Sequence, residues 1–560
     1  MLDEGAVCDD GSACTQGDVC VAGTCVGTAV DCPDDSACAT WSCDARAGCV
    51  AEPRADGTRC GDVRACAESF VCRSGECARA CTELCFVDAT GDLVATRMAG
   101  IVGGGAVLLD ADEDGVLDLV LAGEPDVLSL HLGSGDGTFE PIASGLTLDD
   151  ADATPVHGGS ARPQGVIAAD FDRDGHDDLF VMFDGPNQLY RGQGDGTFVR
   201  ATFDAVVEYT TAAAAADVDG DGWLDLYIGN YIAERREPGT HVPAPNRFYR
   251  GSATGFVEVD LGVAGAGTTL AALFTDFDGD GDADLFVCND FGDTIEPNQL
   301  YRNDSGAFVE MTSREGARLA FFCMGLAAGD YDRDGDRDIY VSNLGDNVLL
   351  RRLGDRYADA AVAAEVQGAP DMCSNFKSST SWAAAWVDFD LDGWEDLYVA
   401  NGYVGYGDSV LEDPHRIYRH RGMSLTFEDV SIESGVASVE QGRGAVFGDL
   451  DRDGDVDIVQ VHADGPPLVL LNESPRRGGW LRVELPGRIG TEVTVDLGAA
   501  RLVRELRRHE GYASGQPAEL YFGLGDAESV DVVARHRDGS MQSWTSVAAN
   551  SVLRVAPPTI

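Results

Sequence analysis

Short apolar segments, each followed by a polar turn, run through the chain from about residue 86 to residue 475. Segments such as 119–122 (LVLA), 179–182 (LFVM) and 226–228 (LYI) are rich in branched and aromatic residues, and all are shorter than an ordinary helix. Runs of this length and composition, bounded by glycine and aspartate, are typical of buried β-strands. The pattern therefore predicts an all-β fold.

One acidic motif, D-x-D-x-D-G-x-x-D, recurs seven times among these segments, and the copies begin at residues 110, 170, 217, 276, 330, 388 and 449. Small and apolar residues precede each copy and a short strand-like run follows it, so each copy is predicted to be a loop between two buried strands. A third run ends in a pattern such as Leu189-Tyr190-Arg191, and a fourth begins with an aromatic residue such as Phe198. Four short strands per repeat are the plan of a propeller blade.

The seventh repeat lacks its fourth strand before the sequence changes character near Ser474. A run upstream of the first motif, Phe86-Val87-Asp88, matches Phe427-Glu428-Asp429, the fourth strand of the sixth repeat. We expect this upstream run to complete the last blade and to leave no free sheet edge. The sequence therefore predicts a seven-bladed β-propeller over residues 86–475.

Two smaller regions flank the predicted propeller. Fourteen of the 17 cysteines lie between Cys8 and Cys85; two units have gaps of five, five and four residues, the unit between them is a close variant, and Cys81 and Cys85 follow. This spacing predicts a disulfide-rich repeat module over residues 1–85 in an oxidising compartment, with the connectivity left open. After residue 475 the acidic motif disappears, and several strand-like runs predict a small β domain over residues 476–560.

The composition of the motif predicts calcium. Calcium takes six to eight oxygen ligands in flexible geometry, and aspartates at alternating positions of a tight loop turn several carboxylates toward one centre. Glycine at position six permits the bend. Position seven is expected to contribute its backbone carbonyl, which agrees with the variety of side chains found there.

We therefore predict about seven Ca²⁺ sites, one in each loop, with ligands from positions one, three, five, seven and nine. The predicted ligands are Asp110, Asp112, Asp114, Val116 and Asp118; Asp170, Asp172, Asp174, His176 and Asp178; Asp217, Asp219, Asp221, Trp223 and Asp225; Asp276, Asp278, Asp280, Asp282 and Asp284; Asp330, Asp332, Asp334, Asp336 and Asp338; Asp388, Asp390, Asp392, Trp394 and Asp396; and Asp449, Asp451, Asp453, Asp455 and Asp457.

Two other interpretations of the motif, and one of the cysteine cluster, are weaker. An EF-hand needs glutamate at loop position twelve, where this chain has Leu, Val, Ile or Gln and enters a strand. Magnesium prefers to keep several waters over a cage made only of protein ligands. Zinc is a rival for the cysteine cluster, but the cluster lacks the C-x2-C pairs of common zinc sites.

Charge and hydropathy argue against some classes of binding partner. The chain has 96 acidic and 40 basic residues, a formal net charge of −56, which argues against nucleic acid or an anionic membrane surface. It has no apolar run of about 18 residues, so no membrane insertion is expected. Residues 1–7 lack the apolar core of a signal peptide. With the cysteine module, these features predict a secreted or cell-surface protein whose signal peptide is absent from this chain.

The motif loops, with the phrases 133–139 (GSGDGTF) and 192–198 (GQGDGTF), resemble FG-GAP (VCBS-type) repeats, the blades of integrin α-chain propellers. The tail, from Gly511-Tyr512 through 522–525 to 530–532, is similar to the ASPIC/UnbV domain of the cartilage acidic protein family and its bacterial relatives. Residues 535–539 (RHRDG) replace the Trp-Pro-x-Gly turn often seen in that domain. The resemblance implies an extracellular calcium-binding protein of surfaces or matrix and supplies no reaction.

Three functions stay open at this point. The first is binding or adhesion to a protein or glycan ligand, with structural calcium in each blade. The second is an enzyme or accessory protein of a biosynthetic pathway, with a site on the propeller loops. The third is a passive structural protein of an envelope or matrix. The sequence has no G-x-S-x-G, H-E-x-x-H, P-loop or C-x-x-C-H motif, so a non-enzymatic function is favoured and no catalytic residue is predicted.

Two further expectations concern loops and thiols. The long connections 231–245 and 402–415 could form a binding rim, or they could be simple loop decoration; their candidates for exposed contacts are Tyr231, Arg235, Arg236, Tyr403 and Tyr406. Cys323 and Cys373 both precede motif loops in neighbouring repeats, so one possibility is that they pair. Cys288 lies in an apolar run and is predicted to be a small core residue.

Overall fold

The computed structural model describes residues 84–556 apart from short stretches at 96–97, 100–103, 124–126, 149–161, 204–205, 235, 237–238, 312–319, 355, 369–378, 405–412, 476–477 and 499. Before residue 84 it describes only the backbone of short strands. The chain divides into two compact units, Met1–Thr82 and Glu83–Ile560.

The first unit contains short antiparallel hairpins. Their strands are Thr15–Val21 with Thr24–Ala29, Ala39–Asp44 with Gly48–Pro53, and the set Arg59–Cys60, Phe70–Arg73 and Glu76–Arg79. The backbone register places Cys20 opposite Cys25, and the two later hairpins repeat this arrangement with Cys43 and Cys49 and with Cys72 and Cys77. The cysteine side chains of this unit lie outside the described part of the chain, so the predicted disulfides there stay a prediction.

The second unit is built from antiparallel strands, which confirms the all-β prediction. Among the described residues, seven four-stranded units each contain one motif loop, and we call them blades 1 to 7. Their strands are, in order, Gly105–Leu109, Asp118–Gly123, Val127–Gly133 and Phe139–Pro141; Arg162–Ala169, Asp178–Pro186, Gln188–Gly192 and Phe198–Ala201; Val207–Ala216, Asp225–Asn230, Arg247–Arg250 and Val257–Glu258; Thr268–Thr275, Asp284–Asp290, Gln299–Asp304 and Ala307–Glu310; Cys323–Gly329, Asp338–Asn343, Val348–Arg352 and Tyr357–Asp359; Ser381–Val387, Asp396–Asn401, Arg416–His420 and Phe427–Asp429; and Gly442–Gly448, Asp457–His462, Leu468–Asn472 and Phe86–Asp88.

Minor elements decorate the blades. Blades 2 and 3 are joined into one sheet by pairing of Asp178–Pro186 with Val207–Ala216. The remaining short pieces are the strand pairs Ile232–Glu234 with Val242–Pro243 and Met98–Ala99 with Asp464–Gly465, the 3₁₀ turns Gly91–Ala95 and Gly422–Ser424, and the α-turns Ala361–Ala364 and Ser431–Ser434. Among the described residues, no helix has the length and apolar character needed to cross a membrane.

The upstream strand closes the ring as predicted. Phe86–Asp88 pairs antiparallel with Leu468–Asn472, and Phe86 is 1% exposed. Blades 1 and 7 also share one apolar cluster, in which Leu108 packs with Val446 and Val459. Each blade is buried against a neighbour on both faces, which explains why its first two strands are continuously apolar and not alternating.

The C-terminal part forms two sheets around a common apolar core. One has three strands, Glu519–Gly525, Gly479–Glu484 and Ser551–Arg554, and the other has four, Arg501–Glu505, Glu492–Asp496, Ser529–Arg535 and Met541–Ala548. This β domain and the propeller belong to one compact unit.

Residues 506–517 of the C-terminal domain, which we call the plug segment, contact the first strand of all seven blades. Gly515 donates to the carbonyl of Ala106, Ala513 accepts from the amide of Val166, and Gly511 donates to Leu326. The other four first strands are reached by His509 at Ala215 and Phe274, by the Tyr512 ring at Trp382, and by Gln516 at Phe447. The plug segment therefore fills the centre of the ring.

Small residues on the first strands make room for the plug segment. A Cβ atom on Gly105 would lie 1.8 Å from the Ala513 carbonyl oxygen, and one on Gly165 would lie 2.3 Å from the same atom. The alanine run 212–216 of blade 3 also makes room for the plug segment, because its short side chains let the His509 ring approach the strand backbone. Gly105 and Gly165 are thus explained by the plug backbone that packs against them, while the alanines of 212–216 also pack in the apolar clusters shared with blades 2 and 4.

Candidate metal centres

The seven motif loops share one backbone conformation. Position four is left-handed in every loop, with φ between 57° and 79°, although only two of these residues are glycine. Position six is glycine throughout, with φ between 84° and 100°. The left-handed residue at position four was not predicted from the sequence; Gly220 and Gly279 at that position were its only signal.

Carboxylates converge in loops 1 to 5. In loop 1, oxygens of Asp110, Asp112 and Asp118 lie within 4.8 Å of one another, and loops 2, 4 and 5 bring together the same three positions. In loop 3 the group is Asp217, Asp219 and Asp221. Two more such groups exist among the described residues. The structure thus brings together predicted ligands from separate positions of the motif.

Position five forms a turn with position seven. The amide at position seven donates to the carboxylate at position five in all seven loops, at 2.8–3.2 Å. This bond fixes the bend without using the position-seven side chain.

The position-seven side chains of loops 2, 3 and 6 contact the preceding loop. His176 of loop 2 is 2.6 Å from Glu113 of loop 1, and the Arg173 guanidinium of loop 2 lies 5.2 Å from the Trp223 ring centre of loop 3. In the same way Arg333 of loop 5 stacks on Trp394 of loop 6 at 3.6 Å. In these three loops the side chain at position seven therefore pairs with position four of the preceding loop, a contact that sequence reasoning missed.

Position nine is the most buried member of the motif. The seven aspartates there are at most 1% exposed, and one oxygen of each accepts an amide from the third strand of the blade at 2.7–3.1 Å. Position nine therefore ties the loop to the strand behind it.

The electrostatics of the loops fit a divalent cation. Buried carboxylate oxygens of Asp110, Asp330, Asp338, Asp388 and Asp449 have no hydrogen-bond partner. Burial raises the pKa of Asp338 to about 9 and that of Asp388 to about 8, and neighbouring aspartates of the same loop add to each shift. Crowded, desolvated carboxylates with unused lone pairs are stabilised by a bound cation, which also reverses such pKa shifts. Oxygen-only donors of this kind suit calcium.

Arginines from the third strands reach several loops, a feature that sequence reasoning did not connect with the motif. Arg250 Nη1 lies 2.7 Å from Asp219 Oδ2 and 2.9 Å from Asp225 Oδ2. Arg191 pairs with Asp172 and Asp178, and Arg351 lies 2.5 Å from Asp332. The leucine-tyrosine-arginine ending of the third run was the available signal.

The C-terminal domain lies against other loops. Gly523 donates its amide to Asp388 Oδ2 at 3.1 Å, and Arg482 pairs with Asp449 at 3.3 Å. Arg535 lies 3.5 Å from Asp276. All three aspartates hold position one of their motifs, so this domain orients predicted ligands of loops 4, 6 and 7.

The residues predicted to be exposed contacts of a binding rim differ in their exposure. Tyr231 is only 7% exposed, and its hydroxyl donates to Asp290 Oδ2 at 2.7 Å, so it is a buried residue and not an exposed contact. Arg236 is exposed and pairs with Glu234, and Tyr403 is half-buried. Arg235 and Tyr406 lie outside the described residues.

The proposed pairing of Cys323 with Cys373 is wrong. Cys323 forms a disulfide with Cys288, whose Cα atom is 5.3 Å away on the second strand of blade 4. Cys288 is fully buried, as predicted, but it is a cross-link between blades 4 and 5 and not a free core thiol. The blade-to-blade contact brings together two strands that are 35 residues apart, and Cys373 lies outside the described residues.

Two protein families match parts of this chain. Residues 110–181, 170–228, 276–341 and 388–459 match the FG-GAP-like repeat, and residues 486–559 match the family described as ASPIC and UnbV. The chain therefore contains FG-GAP-like repeats and a C-terminal ASPIC/UnbV domain, which confirms the predicted resemblance.

Two curated proteins and one solved structure are similar to this chain. Cartilage acidic protein 1 of Mus musculus is 25% identical over 492 residues, which cover 81% of this chain and 74% of that protein. The Homo sapiens protein is 24% identical over 494 residues, covering 81% and 72%. Among solved structures, BBS1N in complex with ARL6DN aligns with a TM-score of 0.42 and 13% identity over 70% of this chain and 97% of that chain.

Proposed function

We propose that this chain is an extracellular calcium-binding propeller that acts as a binding module of a matrix or cell surface. Calcium is structural in this proposal, with one ion in each motif loop. The observation that carries it is the convergence of carboxylates whose buried oxygens have no hydrogen-bond partner. The relationship to cartilage acidic protein 1 and the cysteine-rich first unit support the extracellular setting.

The loops suggest what the ion does. Positions one, three and five lie on the loop, whereas the carboxylate at position nine accepts a hydrogen bond from an amide of the third strand. An ion held by both groups neutralises their charge and joins the loop to the strand behind it. Burial and like charges then no longer oppose ionisation of the position-nine carboxyl.

Calcium titration tests the structural claim. The full chain is stripped with chelator, and Tm and heats of binding are measured as Ca²⁺ or Mg²⁺ is added. Each site stabilises the fold by about 1.4 kcal/mol when free calcium is tenfold above its Kd, so several sites together raise Tm by many degrees. Calcium is expected to do this at lower concentration than magnesium.

A variant locates the effect. Asp217→Asn together with Asp221→Asn removes two carboxylates from loop 3 and is expected to lower the stoichiometry by one. Asp260→Asn, at an exposed turn outside the motif, is the matched control. Unchanged Tm and no heat of binding in the unaltered protein would refute the structural role of calcium.

The binding role needs its own measurement. The calcium-loaded chain is applied to arrays of extracellular proteins and of glycans, in buffers with calcium and with chelator. Retention that depends on calcium supports a binding module, whereas no retention on either array favours a passive structural role.

A further inference from the structure

In three motif loops an arginine of the third strand lies within 3.3 Å of the aspartate at position three, whereas Arg302, at the same place in blade 4, is 4.0 Å from Asp278. In loop 3 one guanidinium nitrogen of Arg250 contacts both Asp219 and Asp225, at 2.7 and 2.9 Å. Arg191 contacts the same two motif positions of loop 2, with its Nε atom 3.3 Å from Asp172. Arg351 lies 2.5 Å from Asp332 and 4.0 Å from Asp334 of loop 5.

Each of these arginines occupies the same place in its blade. It precedes the residue whose amide binds the position-nine aspartate, as Arg250 precedes Gly251 and Arg191 precedes Gly192. The third strand therefore delivers the guanidinium to the centre of the loop.

Loop 1 provides a natural comparison. Its third strand has Leu132 at the corresponding place, before Gly133. In the described part of the chain, no arginine or lysine lies within 4.0 Å of the carboxylates of Asp110, Asp112 or Asp118. The same loop backbone and the same four aspartates are thus present with and without an internal cation.

An internal guanidinium and a calcium ion compete for the same oxygens. The arginine lowers the net negative charge of its loop by one and occupies an oxygen of position three, together with one of position nine in loops 2 and 3. Calcium affinity depends on ligand charge and on site rigidity. The guanidinium also stabilises the loop in the absence of metal, since it satisfies carboxylates that otherwise repel one another.

We infer that the third-strand arginines divide the calcium sites into classes, with loops 2, 3 and 5 weaker than loop 1. This inference rests on the proposed function, because it concerns the regulation of the same sites. Loops 2, 3 and 5 then lose calcium at free calcium concentrations at which loop 1 stays occupied. Their arginines keep these loops folded when the ion leaves.

Loop 3 allows the test to be made at one site, because Trp223 lies at position seven of that loop. Terbium bound there is sensitised by this indole, and the signal lost in Trp223→Phe identifies the loop-3 component. Calcium displaces the terbium, which gives the calcium affinity of loop 3 in the full chain. The variant Arg250→Leu copies the residue found in blade 1, and Arg250→Gln is a second neutral variant in case the first does not fold.

We expect both neutral variants to bind calcium at least tenfold more tightly at loop 3, and Arg250→Lys to stay within about threefold of the unaltered protein. In the opposite direction, Leu132→Arg should weaken one tight site in a calorimetric titration by a similar factor. Arg236→Leu, which removes an exposed arginine paired with Glu234, should change neither measurement.

The outcomes separate this inference from the proposed function. Calcium affinity at loop 3 that is unchanged within twofold in both neutral variants would overturn the inference while leaving calcium binding intact. Absence of any calcium or terbium binding in the unaltered protein would instead overturn the proposed function.

Discussion

The plug segment makes a quantitative prediction about the stability of the whole second unit. Tyr512 is 1% exposed, and its ring packs edge-on against Trp382 with ring centres 4.9 Å apart. Replacing a fully buried aromatic side chain with alanine costs about 3–5 kcal/mol, because apolar contact is lost and a cavity remains. Tyr512→Ala should therefore destabilise the propeller by this amount, although the residue belongs to the C-terminal domain.

Urea unfolding followed by tryptophan fluorescence measures the effect at fixed calcium. With a denaturant slope of about 3 kcal/mol per molar, the loss moves the unfolding midpoint down by about 1–1.7 M. Met541→Ala is the control, since Met541 lies in the same domain and is 65% exposed. Its midpoint should change by the equivalent of less than about 0.5 kcal/mol.

One result would refute the reasoning. If Tyr512→Ala unfolds at the midpoint of Met541→Ala, then the plug segment contributes no stability to the ring and its contacts with seven blades are incidental. A shift confined to a separate early transition would show that the plug leaves the ring before the blades unfold.

Two further predictions concern a cross-link and a buried acid. Removal of the disulfide by Cys288→Ala with Cys323→Ala frees a loop of 35 residues and should cost about 3–4 kcal/mol; addition of reductant should lower the midpoint of the unaltered protein by more than that of the double variant. Burial raises the pKa of Asp290 from 3.8 to about 6, so the folded state holds its proton more tightly and stability falls as pH rises from about 4 to about 6. Asp290→Asn removes this titration, so the stability of the variant relative to the unaltered protein should rise over that pH interval, by at most about 3 kcal/mol. Urea midpoints at each pH measure this difference. A difference that stays constant with pH would contradict the assignment.

Most of the fold could be predicted from the repeated motif, because strand length, loop chemistry and the displaced closing strand are all local patterns of the sequence. Phe86-Val87-Asp88 could be placed in the last blade because it matches the fourth strand of another repeat. Calcium binding was predicted from the regular spacing of aspartates and stays a prediction, whereas the convergence of these carboxylates is seen in the structure.

The features that were missed depend on contacts between distant segments. Gly105 and the alanines of the first strands look like ordinary strand residues until the plug segment is placed against them. Arg250 resembles any surface arginine until the third strand is folded beside its loop. Cys288 gave no sign of its partner, because pairing is set by the approach of two blades and not by spacing along the chain.

The closing strand has a consequence for the order in which the chain folds during synthesis. The contact between Cys85 and Ser474 spans 389 residues, and that between Ala106 and Ser514 spans 408. At about 5–20 residues per second, a ribosome needs about 20–80 s to make the chain between the two halves of blade 7. Throughout that time the growing array has open ends, and contacts this distant are slow to form. Because the waiting strand, Phe86–Asp88, has only three residues, it offers few backbone groups to a wrong partner before the last blade arrives.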